Sequence, residues 1–96
     1  MSFSLVGTAA GATGTSTITP TMPSFAAGDL SLFLAYGRTN TMTVTTPPSG
    51  YVLLESANGS QSNLNIYGKI CTSSESAPSI LYTAGHAICV MAVLRS

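Results

Sequence analysis

The feature that most constrains this chain is a two-residue hydrophobic period that runs through nearly all of it. In "DLSLFLAYG" at 29–37, Leu30, Leu32, Leu34 and Tyr36 fall on one side and Ser31, Phe33 and Ala35 on the other. Successive side chains of a strand point to opposite faces, so this alternation is a strand signature. The same period predicts strands at 3–7, 15–19, 41–46, 50–56, 62–71, 79–83 and 86–95, and no window carries a helical pattern. Gly, Pro, Asn and Ser clusters separate the runs at intervals of roughly 8–12 residues, the spacing of a sandwich or barrel. About eight short strands without a helix predict an all-β fold, an antiparallel β-sandwich with jelly-roll topology.

Local signals fix several turns. Pro20 and Pro23 end the second strand, because proline cannot donate to a ladder. Gly28-Asp29 turns the chain sharply before the third, and the short Asp29 side chain can hydrogen-bond the backbone there. "PPSG" at 47–50 breaks the chain before the fifth. Asn58-Gly59 supplies the positive φ angles of a type I′ turn, so 50–56 and 62–71 are expected to form an antiparallel hairpin. The last run, "HAICVMAVLR", is apolar on both faces and has no proline, which places it inside a sheet. Residues 1–14, small and glycine-spaced, read as a flexible N-terminal segment or arm, and 15–96 as a single sandwich domain.

Charge is scarce. Three basic and three acidic residues make 6 % of the chain, with no net charge, against about 25 % in ordinary soluble domains. Serine and threonine supply 27 of the 96 residues and take over the solvating role. A surface without an excess of either sign tends to associate. Arg38, Lys69 and Arg95 are too few for a nucleic-acid patch. The apolar run "AICVMAVL" is far short of the ~20 residues of a spanning helix, so no membrane partner is expected. The N-terminus lacks the basic region of a secretory signal, which implies synthesis without export and reduced thiols. Cys71 and Cys89 lie in apolar runs and read as buried free thiols rather than a bridge.

No reactive constellation is legible. His86 is the one histidine and has no carboxylate near it in sequence. Asp29, Glu55 and Glu75 are dispersed and read as isolated surface charges, too few for a calcium cluster or a glycosidase pair. No metal or cofactor is expected, and no enzyme activity. Asn58-Gly59-Ser60 matches a glycosylation sequon, but the hairpin turn accounts for it. Tyr36 and Tyr82 read as core or subunit-contact residues. Tyr67 shares its face with Asn65 and Lys69 and reads as solvent-facing or interfacial.

The order of signals resembles a known family. "P-x-F-A-A-G-D-L-S-L-F-L-A-Y" is followed by "T-P-P-S-G-Y-V-L-L-E-S", then "L-N-I-Y-G-K-I", then an apolar strand ending in arginine. This is similar to a β-sandwich module of tailed-phage virion proteins, over about residues 20–95. Two departures stand out: Tyr51 occupies a position that is usually Trp in the family, and the last strand ends Val-Leu-Arg-Ser rather than in a Tyr-Arg-Gly-like sequence. The resemblance implies a capsid decoration (cement) protein, a homotrimer on the outer shell of the virion, assembled in the host cytoplasm and bound to the major capsid protein. Phe3, Leu5, Arg38, Tyr51, Tyr67, Lys69 and Arg95 are the candidate interface residues. The rival expectation is a receptor- or glycan-binding knob or fibre module that reads sugars through its tyrosines.

Overall fold

The computed structural model describes residues 3–14, 17–38, 43–60, 62–83 and 87–96, with backbone alone for 9–14. His86 and Met42 lie outside the described residues. Eight strands follow in order: β1 (Ser4–Gly14), β2 (Thr17–Ile18), β3 (Leu30–Gly37), β4 (Thr43–Thr46), β5 (Val52–Asn58), β6 (Asn63–Ile70), β7 (Ile80–Thr83) and β8 (Ala87–Arg95). Each coincides with a run of the two-residue period to within a few residues, save β1.

The expected arm at 1–14, with its strand confined to 3–7, is corrected by β1. This strand pairs antiparallel with β8 from Ser4↔Arg95 to Gly14↔Ala87. Register shifts between Leu5 and Gly7 and between Ala9 and Ala12 interrupt the ladder. Each shift sets an extra residue of β1 against β8, and beyond Gly7 the small residues of the sequence carry no two-residue period although the backbone pairing continues.

The strands form a five-stranded sheet of order β1-β8-β3-β6-β5 and a three-stranded sheet of order β2-β7-β4. Every pairing is antiparallel. As its doubly apolar sequence requires, β8 is an interior strand, flanked by β1 and β3. The inner faces of the two sheets share one core. Phe33 and Ala35 of β3, Tyr67 of β6 and Ala87, Cys89 and Met91 of β8 meet Ile18 of β2 and Ile80 and Tyr82 of β7. Two antiparallel sheets closed over one core are consistent with a β-sandwich. Phe33 organises the centre, with Tyr51 and Tyr67 set edge-on to it at centroid distances of 6.3 Å each, a favoured aromatic geometry.

Two turns rest on glycines in the left-handed region. At Ala26–Asp29, Gly28 has φ 93° and the Asp29 N–H donates to the Ala26 carbonyl at 3.1 Å. At Pro48–Tyr51, Gly50 has φ 82° and the Tyr51 N–H donates to the Pro48 carbonyl at 3.1 Å. Both have the glycine position and hydrogen bond of a type II turn. The hairpin β5–β6 is present, but its tight Asn58-Gly59 turn is corrected. Asn58 still pairs with Asn63, so the turn lies beyond it, where the Gly59 N–H donates to the Ser62 carbonyl at 2.8 Å. Asn58 is held in the ladder because its side-chain oxygen accepts from Asn63 Nδ2 at 2.7 Å.

Candidate functional site

The alternation of β3 has an unexpected sense. Its smaller-residue side, Ser31, Phe33, Ala35 and Gly37, faces the core, while Leu30, Leu32, Leu34 and Tyr36 face outward. The neighbouring strands extend that outward apolar surface in register. Leu30 stands between Leu94 and Ile70, with Leu5 beyond Leu94, so four strands contribute one apolar row. Leu32 lies between Ala92 and Gly68, Leu34 between Val90 and Ile66, and Tyr36 between Ile88 and Leu64. Glu55, paired with Ile66 on the edge strand β5, is the one carboxylate in these rows.

Among the described residues this face is half-buried along its centre, at Leu30, Leu32 and Leu34, and exposed toward its edges and ends. Leu5 is 62 % exposed, Val52 65 % and Ile70 62 %, and Phe3, Leu54, Ile88 and Val90 are exposed as well. Contiguous apolar surface of this kind marks an interaction site. It also has relief. Gly68 leaves a gap over which the Leu54 side chain lies, so that a Cβ there would come within 2.7 Å of Leu54. Around it Leu30, Val52, Leu54 and Ile70, with Gly50 and the Lys69 side chain at one end, line an open hollow of about 540 Å³.

A second feature is polar. The turn before β5 and the loop between β6 and β7 enclose a cleft of about 380 Å³ lined by Tyr51, Lys69, Glu75, Ser49, Ser76 and Ser79 among others. Lys69 Nζ donates to Glu75 Oε1 at 2.8 Å, and the Thr72 N–H donates to Glu75 Oε2 at 2.8 Å. These bonds hold the Glu75 carboxyl below the usual carboxylate range and raise Lys69 above the usual amine value. Tyr51 OH shares a 2.7 Å hydrogen bond with Ser31 Oγ.

The third feature is a clamp. Arg95 Nε and Nη2 donate to Asp29 Oδ1 and Oδ2, both at 2.8 Å, and the Ala26 N–H donates to Asp29 Oδ2 at 2.8 Å. Asp29 is 2 % exposed, and the Arg95 hydrogen bond holds its carboxyl below the ordinary value. Cys71 brackets the same turn through backbone bonds to Gly28 and Asp29. Asp29 is therefore the turn residue its sequence announces, and in addition the anchor of the C-terminal strand. The reading of Asp29 and Glu75 as isolated surface charges is corrected: Asp29 is buried, the Glu75 side chain is covered although the residue is half-buried, and each carboxylate is paired. Nothing in the local sequence announced Arg95 as the partner, because the pair spans 66 residues.

Of the other candidate interface residues, Leu5 is exposed within the apolar rows, Phe3 is exposed just before β1 and Arg38 is exposed at the end of β3. Tyr67 is corrected. It is 5 % exposed and packs on Phe33, on an inward face it shares with the half-buried Asn65 and Lys69. Tyr82 is in the core and Tyr36 on the outward face. Cys71 and Cys89 are free and buried, and burial pushes the Cys89 thiol up to about 12. That keeps it a neutral thiol near pH 7. The described residues hold no cluster of three or more His, Cys, Asp or Glu side chains fit for a metal, and no helix long and apolar enough to cross a membrane. Comparison with family models, curated proteins and solved structures finds no match to this chain.

Proposed function

We propose that this chain is a structural subunit of a tailed-phage virion, a decoration protein that sits on the outer capsid surface, binds the major capsid protein of the assembled shell and stabilises it. The observation that carries the reading is the outward face of the five-stranded sheet, apolar across four strands in register. A protein with so little charge and so broad an apolar face is suited to packing against neighbours. A subunit that binds only the assembled shell shifts the equilibrium away from disassembly by mass action. The family resemblance supports the same role. It also supports a jelly-roll topology, as do the nested pairings β1–β8, β2–β7 and β3–β6, the pairs made when one long hairpin is rolled up. In a full jelly roll β4 pairs with β5, whereas here β5 joins β6 at the edge of the larger sheet.

The test is association with intact particles. The protein is expected to co-purify with shells in a fixed ratio to the major capsid protein, and to raise their melting temperature when added back. Absence of binding to assembled shells overturns the reading. The polar cleft beside Tyr51 favours a second reading, a glycan-binding knob. Specific signals on a glycan array that vanish in Tyr51→Ala would establish it in place of the first.

A further inference from the structure

We infer that the outward face of the five-stranded sheet is covered by a second copy of this chain, stacked face to face about a two-fold axis running along β3. The inference rests on the assembly reading above, but it gives the apolar face to a second copy of the chain and leaves contact with the shell to the remaining surface of the pair.

Three observations select this occupant. The first is area. Five strands at ~4.8 Å spacing and eight residues at ~3.4 Å rise give a face of about 24 by 27 Å. Two such faces bury roughly 1,300 Å² in total, within the ~1,200–2,000 Å² of stable specific interfaces. A three-fold arrangement, as the family resemblance implies, would cover only a strip of each flat face.

The second is charge. The apolar rows carry one carboxylate, Glu55, at the β5 edge, where it can keep its water at the rim, and the one cation that reaches the hollow, Lys69, is already paired with Glu75. The chain has no net charge to oppose self-association, and the face offers no charge pattern for a different partner to read.

The third is shape. The central strand of the sheet is β3, with β1 at one edge and β5 at the other. A two-fold along β3 lays β1 of one copy over β5 of the other and leaves each row at its own height. The exposed Leu5 on β1 belongs to the row of Leu94, Leu30 and Ile70. It therefore comes over the hollow that Val52, Leu54 and Ile70 rim around Gly68. Projection and hollow lie on opposite sides of the axis, which is what an isologous contact requires. The strands of the two copies run aligned, the common way for sheets to pack.

The experiment is the oligomeric mass of the purified chain by sedimentation or light scattering at ~10–50 µM. The expected result is twice the 9.8 kDa chain mass. Leu34→Lys puts two like charges against each other near the axis and is expected to give a monomer with an unchanged far-UV spectrum. Leu5→Glu, at a position exposed enough to leave the fold intact, is expected to weaken the dimer at least tenfold. Leu81→Lys, on the other sheet, is expected to leave the mass unchanged. A monomeric or trimeric wild type overturns the inference, as does a folded Leu5→Glu variant that dimerises like the wild type. A monomer that binds shells through this face overturns the inference and leaves the proposed function standing. A dimer that ignores assembled shells does the reverse.

Discussion

Tyr51→Phe removes one oxygen and tests how this core is held together. Ser31 is 0 % exposed, on the inward side of β3, and its hydroxyl meets Tyr51 OH at 2.7 Å. Tyr51 is half-buried and lines the open polar cleft. The two partners are therefore unequal. Removing the phenol oxygen strands a hydroxyl that water cannot reach, at a cost of about 1–3 kcal/mol. Removing the Ser31 hydroxyl leaves a phenol that water in the cleft can satisfy, so Ser31→Ala costs only the net bond, about 0.5–1.5 kcal/mol. The ring contact with Phe33 survives in either variant. In a domain of this size each kcal/mol moves the melting temperature by roughly 4–8 °C, so Tyr51→Phe lowers it by about 4–24 °C. The double variant has no orphaned group and is expected to melt close to Ser31→Ala, a coupling of about 1 kcal/mol or more. Thermal unfolding by calorimetry and circular dichroism, with urea titration alongside, measures all four corners of the cycle. Ser31→Ala costing more than Tyr51→Phe, or strict additivity, would refute the reasoning.

Further outcomes follow from the core and from the ion pairs. Phe33→Ala opens a cavity between the sheets and is expected to cost about 3–5 kcal/mol. That is a large share of the roughly 5–14 kcal/mol available to a domain of this length, and loss of a cooperative urea transition would register it. Asp29 and Glu75 have carboxyl groups lowered on folding from ordinary values of 3.8 and 4.5 by hydrogen bonds from Arg95 and Lys69. A lowered carboxylate stabilises the fold above its unfolded value and loses that contribution as pH falls through the folded one. Melting temperature is therefore expected to hold at neutral pH and to decline from the ordinary carboxylate values downward. Asp29→Asn should be less stable than the wild type at neutral pH and respond less to acid. Lys69, raised above 10.5 by Glu75, has the opposite sign: its contribution is complete below that value and is lost as pH rises past the folded one. Melting curves from pH 2 to 12 check both limbs, and an acid limb in Asp29→Asn as steep as the wild type would count against the clamp.

How much was legible beforehand depends on the range of the interaction. Strand positions, the Gly28-Asp29 turn and the break at "PPSG" are local and were readable. Alternation and positive-φ residues act over two to four residues of chain, whatever the rest does. The outline of β1 was not readable, because its small residues beyond Gly7 carry no two-residue period while the backbone pairing with β8 continues. The hairpin was readable but its loop was not: a side-chain bond between Asn58 and Asn63 extends the ladder through the residue that should have turned.

The sequence by itself determined that this is an antiparallel all-β chain with an interior last strand and almost no charge. Tertiary structure alone decided which side of each strand is the inside. On β3 both sides are apolar enough to bury, and alternation is symmetric between them. The small side won, since Ser31, Ala35 and Gly37 leave room for Phe33 and for the ring and sulfur groups of Tyr67, Cys89 and Met91. The larger leucines were left outside, where they form the surface assigned here to assembly. Tertiary structure alone also joined Asp29 to Arg95. The pair exists because Leu30 lies opposite Leu94 in the β3–β8 register. That register is set by the packing of whole strands, not by either residue's neighbours.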